Sequence, residues 1–224
     1  MTQTIAVIGG SGNLGAALAR RWAKAGRRVI IGSRDAAKAS AAAAQLAAEL
    51  KLEVAGAANL EAAQRADVVV VAVPFASQLQ VLEEIRPALA GKVVIDTTVP
   101  LVPPKVMRVQ LPPEGSAAQR AQALLGPQVR LVSAFHNVAA HKLATDEEVQ
   151  CDVLVFGDDK GARAVAVELA QQAGLRGLHA GALANSAAAE ALTSILIFMN
   201  KTYRVDGAGI RISGQLDMDA AAAA

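Results

Sequence analysis

The chain has 224 residues, of which 53% are hydrophobic and 19% are charged, and its formal net charge is +2. This length and composition predict a globular protein with one or two domains and a real core, and they exclude a disordered chain. No block of basic residues is present, which argues against nucleic-acid binding, and no unbroken apolar stretch is long enough to predict a membrane span. The single cysteine, Cys151, excludes an internal disulfide, and it favours a cytoplasmic location.

The first motif is an apolar run followed by closely spaced glycines and then by a helical pattern. Residues 5–8 are apolar, Gly10-x-Gly12-x-x-Gly15 comes next, and residues 16–22 continue as an amphipathic helix. This order is the context that a dinucleotide-binding fingerprint requires. We expect Gly10 to allow a tight turn, Gly12 to let a pyrophosphate approach the backbone, and Gly15 to let the helix pack on the strand. The alternative is a purely structural glycine turn.

The free N–H groups at the start of that helix would face the phosphates, where the helix dipole also favours negative charge. The turn therefore supplies a first set of cofactor-binding candidates: Gly10, Ser11, Gly12, Asn13, Leu14 and Gly15.

Strand and helix patterns alternate along the first half of the chain. After the first helix, strands are predicted at residues 28–32, 52–55, 67–73 and 92–97. Helices are predicted at residues 36–50, 59–65 and 76–90, the last of them irregular near Pro87. This alternation predicts an α/β fold with a doubly wound, mostly parallel Rossmann sheet.

The pattern changes at a proline-rich stretch, residues 99–114, which is predicted to be a loop excursion. Beyond it, helices are predicted at residues 116–125, 157–173 and 183–203. Strands are predicted at residues 130–135, 152–156 and 175–180, and an extended segment at 209–213. We expect residues 1–133 to form an NADP-binding Rossmann domain and residues 134–216 to form a smaller C-terminal segment that completes the wall of the active-site cleft. Residues 217–224, with their terminal alanine run, are predicted to be a tail.

The end of the second strand indicates which dinucleotide binds. An NAD site usually has a carboxylate there to accept hydrogen bonds from the ribose hydroxyls. This chain has Ser33 and Arg34, with Lys38 one helical turn further on. Serine and two cations would bind a 2′-phosphate, whereas Asp35 is expected to be the N-cap of the second helix. The alternative is a solvated helix start, but together with the glycine turn these residues favour NADP(H).

Three strand ends should line the nicotinamide half of the cleft, because parallel sheets bind ligands beyond the carboxyl ends of their strands. They are residues 73–75, 97–100 and 134–140, which add Val73, Pro74 and Ala139 to the cofactor-binding candidates. No acid–base pair and no metal-ligand spacing are found there. His136 is the only histidine at a predicted strand end, and as a catalytic candidate we expect it to position groups rather than to transfer protons.

The remaining chemistry-bearing residues are expected to be structural. Cys151 begins a predicted strand and should be a small buried side chain rather than a nucleophile. His141 and His179 should be peripheral to the site. Ser11 and Ser133 have no evident histidine–carboxylate relay, which argues against a hydrolase.

Several motifs in the same order carry a family resemblance: residues 8–15, 32–34, 133–140, 157–159, 180–186 and 190–193. Together they resemble the NADPH-dependent coenzyme F420 reductases over nearly the whole chain up to about residue 213. The resemblance implies hydride transfer between NADP(H) and the deazaflavin ring of coenzyme F420. It implies that Ser11, Ser33, Arg34 and Lys38 hold the 2′-phosphate. It also implies that the substrate-side residues around the stacked rings are Val99, Pro100, His136, Val138 and Ala140.

The chain departs from this family pattern at one place. Family members often have an arginine after the Asn185-Ser186 pair, where it can meet the phosphate-bearing tail of the deazaflavin coenzyme, whereas this chain has Ala187 to Ala189. Two alternative functions therefore remain open: an NADPH-dependent reductase of another flavin-like or small acceptor, and a non-catalytic NADP(H)-binding sensor.

The apolar stretch at residues 192–199 is hydrophobic on too many sides for an ordinary surface helix. It is therefore predicted to lie either in the core or in a dimer interface. The family resemblance favours a homodimer that acts on small molecules, without nucleic-acid or membrane partners.

Overall fold

The computed structural model describes residues 3–218. Its centre is a sheet made of the strands β1 (Thr4–Ile8), β2 (Arg28–Ser33), β3 (Ala55–Ala58), β4 (Val68–Val71), β5 (Val93–Asp96), β6 (Arg130–Ser133), β7 (Asp152–Gly157) and β8 (Arg176–His179). The spatial order is β3-β2-β1-β4-β5-β6-β7-β8, and every neighbouring pair is parallel except β6 and β7. The predicted doubly wound, mostly parallel sheet is confirmed.

Helices cover both faces of this sheet. They are α1 (Asn13–Lys24), α2 (Ala36–Leu50), α3 (Asn59–Arg65), α4 (Gln78–Ile85), α5 (Ala117–Leu125), α6 (Ala140–Leu143), α7 (Lys160–Gln172) and α8 (Ser186–Tyr203). None of the helices in the part of the chain that the structure describes is long and apolar enough to cross a membrane.

Each face of the sheet has its own hydrophobic core. Strand β4 serves both, because Val68 and Val70 lie in the core under α1, α2 and α7, while Val69 and Val71 lie in the core under α3, α4 and α5. A central strand covered on both faces is expected to be a continuous apolar run, as this one is. In the first core the ring of Trp22 packs edge-on against the ring of Phe135. The Trp22 Nε1 donates to the Leu169 carbonyl at 2.8 Å.

Small residues let the elements approach closely. A Cβ on Gly56 of β3 would lie 2.4 Å from the Ala39 carbonyl oxygen of α2, and a Cβ on Gly177 of β8 would lie 2.9 Å from the Val167 carbonyl oxygen of α7. Both distances are shorter than a real carbon–oxygen contact. The abundant alanine and glycine therefore set how close these helices lie to the sheet.

Three predicted elements differ from the structure. The third strand was predicted at residues 52–55 but spans Ala55–Ala58, because Lys51 takes a left-handed conformation that ends α2 and Leu52 remains 43% exposed. In place of the single helix predicted at residues 76–90, the structure has the shorter helix α4 with a 3₁₀ turn at each end. The second of these turns contains Pro87. The four-residue helix α6 was not predicted.

The C-terminal part continues the sheet through the antiparallel contact of β6 with β7. Asp152, at the start of β7, is buried and makes two hydrogen bonds with Arg176 of β8, at 2.8 and 2.6 Å. Its backbone N–H donates to the Ile210 carbonyl at 2.7 Å, which fixes the extended segment predicted at residues 209–213. Of the predicted tail, residues 219–224 lie outside the described residues.

Candidate functional site

The glycine turn between β1 and α1 forms as predicted, but the glycine that needs a positive φ is Gly9 rather than Gly10. Gly9 has φ +79°, and a Cβ there would lie 2.5 Å from the Ala72 carbonyl oxygen at the end of β4. A Cβ on Gly15 would lie 2.6 Å from the Gly9 carbonyl oxygen, which confirms its close-packing role. At Gly12 only that carbonyl oxygen, at 3.3 Å, comes near, so its outer side is open to a ligand.

Helix α1 begins without a side-chain cap. Gly12 is its N-cap residue, and the first bond of the helix runs from the Ala16 N–H to the Gly12 carbonyl at 2.8 Å. The N–H groups of Asn13 and Leu14 precede that bond. Such uncapped groups at a helix N-terminus favour an anion, which is what a pyrophosphate supplies.

We expect Gly15→Ala to lower the free energy of unfolding by about 2 kcal/mol or more, because the added carbon has backbone atoms on its path. Gly161, inside α7, is a matched control, since its nearest neighbour to a Cβ is a side-chain oxygen at 3.4 Å. Gly161→Ala should instead stabilise the protein by about 0.5–1 kcal/mol. Thermal and denaturant unfolding of both variants measure the difference, and changes of the same sign would contradict the assignment.

A cavity of about 180 Å³ lies beside the glycine turn, at the carboxyl ends of β1, β2 and β4. Half of the predicted cofactor-binding residues line it: Ser11, Gly12, Ser33, Arg34, Val73 and Pro74. The remaining lining residues are Gly9, Asn59, Ala72, Ser77 and Val81. Residues distant in the sequence thus meet at the place where a dinucleotide would lie in such a sheet.

Two cations have side chains with no partner within residues 3–218: Arg34, which lines this cavity, and Lys38, one helical turn further along the chain. Asp35 caps α2, accepting from the N–H groups of Ala37 at 2.9 Å and Lys38 at 3.2 Å through one oxygen, as predicted. The side chains of Arg34 and Lys38 are exposed and make no hydrogen bond or ion pair with any described residue. The donor set of Ser33, Arg34 and Lys38 therefore fits a phosphate monoester.

A second cavity, of about 570 Å³, lies between α1, α2 and α6. Gly10, Ser11, Asn13 and Ala140 line it among the predicted site residues. Ser11 lines both this cavity and the first one. Leu14 packs against the core beneath it, and Ala139 is the N-cap residue of α6.

The three predicted strand ends leave the sheet side by side. Val71, Asp96 and Ser133 are register partners across β4, β5 and β6. Val99 is half-buried and Pro100 is buried in the loop after β5, while Val138 is half-buried after β6. None of these three, nor His136, lines either of the two cavities, so their approach to a ligand remains a prediction.

His136 is held as a neutral imidazole. Burial lowers its pKa to about 3, and its Nε2 lies 2.6 Å from the Ser133 hydroxyl oxygen. The residue before it, Phe135, has φ +64°, a left-handed conformation that is rare for a bulky side chain. The histidine therefore has a fixed orientation and no charge, which suits positioning rather than acid–base work.

Helix α8 makes hydrogen bonds with residues 136 and 137, which follow β6. The Thr193 hydroxyl donates to the His136 carbonyl at 3.0 Å, and the Asn137 amide donates to the Ala189 carbonyl at 2.9 Å. Both bonds lie on one turn of α8. The helix thus fixes the backbone of residues 136 and 137, and whether it also forms a side of the cleft stays a prediction.

The sequence prediction missed a buried polar group behind the strand ends. Gln78 of α4, Asp96 of β5 and Glu190 of α8 are each no more than 1% exposed. Burial raises the pKa of Asp96, and it raises the pKa of Glu190 to about 7, with the Asp96 carboxylate adding to the shift. The signal that could have found them is polarity inside otherwise apolar strand and helix patterns.

Cys151 has the buried structural role predicted for it, whereas His141, predicted to be peripheral, lines a cavity with several predicted site residues. Cys151 is buried and its pKa is raised by that burial. His141 pairs with Asp206 at 2.8 Å and also lies on the wall of the second cavity. Among residues 3–218, no group of three or more metal-ligating side chains could hold an ion.

Comparisons with known proteins agree with this geometry. The family model described as NADP oxidoreductase, coenzyme F420-dependent, matches residues 4–100. The F420-dependent NADP reductase of Methanothermobacter thermautotrophicus is 45% identical over 95% of this chain and 96% of its own length. The F420-dependent NADP reductase of Methanocaldococcus jannaschii is 38% identical over 93% of this chain and 97% of its own length.

One similar crystal structure is that of a protein from Arthrobacter sp. FB24, whose proposed designation is F420-dependent NADP reductase. It superposes on this chain with a TM-score of 0.81. It is 27% identical and covers 95% of this chain and 100% of its own length. Full-length similarity to relatives of one activity, on the same fold, decides the assignment. The chain therefore belongs to the family of F420-dependent NADP reductases.

Proposed function

We propose that this protein is an oxidoreductase that transfers a hydride between NADP(H) and coenzyme F420. The observation that carries the proposal is the cavity lined by Ser33 and Arg34, where the side chains of Arg34 and the nearby Lys38 have no partner among the described residues. Similarity along the whole chain to F420-dependent NADP reductases supports the second reactant. The nicotinamide and deazaflavin rings supply the redox chemistry themselves.

The residues of the chain then have to bind and orient. The turn from Gly10 to Gly15 would hold the pyrophosphate at the start of α1, while Ser11, Ser33, Arg34 and Lys38 would hold the 2′-phosphate. Val73, Pro74 and Ala139 would border the nicotinamide half. Val99, Pro100, His136, Val138 and Ala140 would surround the stacked rings. Holding two reacting carbons about 3–3.5 Å apart lowers the barrier without an acid–base pair.

This assignment divides the chain by task. We propose that residues 1–133 bind NADP(H) and that residues 134–216 complete the cleft. The bonds from α8 to His136 and Asn137 support the second half of this division, because they fasten the strand end that the two parts share. The protein is proposed to be cytoplasmic, in keeping with its single buried cysteine.

The direct test mixes the purified protein with NADPH and oxidised F420. We expect loss of the deazaflavin absorbance, recovery on adding excess NADP⁺, and transfer of deuterium from NADPH labelled at the nicotinamide C4. Tight NADPH binding without turnover of F420 or of any other acceptor would instead identify a sensor.

One observation favours a different acceptor. Ala187 and Ala188 stand where family members often have an arginine for the phosphate-bearing tail, and Ala188 is exposed. A reductase of a flavin-like ring without that tail would lose nothing there. Comparing F420 with its tail-free deazaflavin core distinguishes the two, because a tail-independent enzyme would use both with similar KM values.

We also propose a homodimer built on α8. Ile195, Phe198 and Met199 lie one helical turn apart and are 45%, 51% and 38% exposed. A contiguous apolar stripe of this kind on a helix surface usually marks an interface. We expect Phe198→Glu to convert a dimer into a monomer in analytical ultracentrifugation, whereas Leu52→Glu, at an exposed leucine away from α8, should leave the dimer intact. A monomeric wild-type protein would contradict the proposal.

A further inference from the structure

The buried polar group behind the strand ends begins a series of hydrogen bonds that are connected to one another through short backbone segments. The Gln78 amide nitrogen donates to an Asp96 carboxylate oxygen at 2.5 Å and to the Ala117 carbonyl at 3.0 Å. Ala117 begins α5, and its own N–H donates to Glu190 at 2.6 Å, with the next N–H donating to the other carboxylate oxygen at 3.1 Å. One glutamine therefore joins β5 to α5, and one glutamate joins α5 to α8.

The second part of the series returns from α8 to β5. Thr193 lies one turn after Glu190 and donates to the His136 carbonyl, while Asn137 donates to the Ala189 carbonyl. At the base of that strand end, the Ala134 N–H donates to the Asp96 carbonyl at 3.1 Å. Together with the backbone of residues 190–193 and 134–136, these bonds close into a ring that begins and ends at Asp96.

The ring controls both walls of the proposed deazaflavin site. The second carboxylate oxygen of Asp96 accepts from the Thr98 N–H at 3.0 Å, which sets the direction of the chain into Val99 and Pro100. The bonds to α8 set the direction of residues 136 and 137. No member of the ring lines either cavity, so it can act on a ligand only through the walls that it holds.

We propose that Gln78 and Thr193 are positioning residues for hydride transfer. They fix the spacing between the Thr98–Pro100 wall and the His136 wall without touching the nicotinamide or the deazaflavin. The proposal rests on the proposed function, because it assigns these walls to the deazaflavin side. It differs from a purely structural role, since the affected quantity is the rate of hydride transfer rather than stability alone. A wall displaced by a fraction of the reacting distance lowers that rate steeply.

The first test is Gln78→Met, which keeps the length and volume of the side chain but removes both hydrogen bonds. We expect kcat for F420 reduction to fall about 10–100-fold, while the Kd for NADPH changes less than about threefold. Gln80→Met on the same helix is the matched control, because Gln80 is exposed, and it should behave as the wild type.

The second test removes hydrogen bonds on the α8 side of the ring, and it still tests the proposal if Gln78→Met does not fold. Thr193→Val is nearly isosteric and removes the hydroxyl, which donates to the His136 carbonyl and accepts from the Asn137 amide at 3.1 Å. We expect the same pattern, a lower single-turnover rate with an unchanged Kd for NADPH, and Thr202→Val at an exposed site of α8 as its silent control. Thermal unfolding of each variant is measured so that rates are compared on fully folded protein.

Wild-type rates in both variants would overturn the proposal. So would an equal weakening of NADPH and F420 binding together with a lower Tm, since that is the result of general loosening. Failure of the wild type to reduce F420 would refute the proposed function instead. The same variants assayed with whichever acceptor the wild type does reduce would then decide the role of the ring.

Discussion

Arg34→Asp is expected to raise the KM for NADPH about 100-fold or more while changing the KM for NADH only a few-fold. A charge-assisted hydrogen bond between an arginine and a phosphate contributes about 1.5–3 kcal/mol, and the introduced carboxylate would also repel the 2′-phosphate. The guanidinium has no partner in the described chain, so its removal disturbs no internal contact. Steady-state kinetics with both dinucleotides measure the effect directly.

Arg28→Asp provides the matched control. Arg28 is exposed and begins the same strand, so the variant has the same change of charge at the end of β2 away from the cavity. It should leave both KM values near the wild type, which separates a local contact from long-range steering by net charge. Equal losses with NADPH and NADH in Arg34→Asp would contradict the phosphate-binding role.

Glu190 should make the stability of the protein fall as the pH rises from about 4.5 to 7. Its pKa is raised from an ordinary value of 4.5 to about 7 in the folded protein, with burial as the main cause. Below pH 4.5 the carboxyl is protonated in both states and no penalty exists. Between the two values only the unfolded state ionises, so unfolding becomes easier by up to about 3 kcal/mol, and above pH 7 the loss is complete.

Glu190→Gln tests this, because an amide does not titrate. Denaturant unfolding of the wild type and the variant from pH 4.5 to 8 should give a difference in unfolding free energy that moves in favour of the variant as the pH rises. Asp96, whose pKa is also raised by burial, remains in both proteins, and because its carboxylate adds to the Glu190 shift, the difference includes the interaction between the two groups. Glu83→Gln, at an exposed site, should run parallel to the wild type, and parallel curves for Glu190→Gln would refute the assignment.

The sequence was most informative where the physics is local or repetitive. The apolar run of β4 predicts a central strand because burial on both faces demands it, and Asp35 predicts a helix cap from its position alone. The third strand was misplaced because Ala55 to Ala58 carry no strand preference; they pair with β2 because only small residues fit against α2. Tertiary packing, which a single segment does not reveal, decided that element.

Half of the cofactor-binding residues predicted from the sequence line the cavity beside the glycine turn, but the buried polar residues behind the strand ends were not predicted. Ser33 and Arg34 follow a recognisable strand at a fixed distance from a recognisable turn, so their meeting follows from the fold. Gln78, Asp96 and Glu190 are separated by 18 residues in one case and by about a third of the chain or more in the others, and each looks like an isolated polar residue until α4, α5 and α8 are packed together. The demand for Gly9 was missed because the motif draws attention to Gly10.

The close approach of helix to sheet at Gly56 and Gly177 has a consequence for how this protein tolerates change. Cores built on bulky side chains are damaged mainly by truncation, which leaves voids. Here the backbones themselves are the contact surface, so the vulnerable positions are those where a single methyl group has no room. In a survey of substitutions along α2 and α7, those that enlarge a side chain should therefore destabilise the protein more often than those that shorten one.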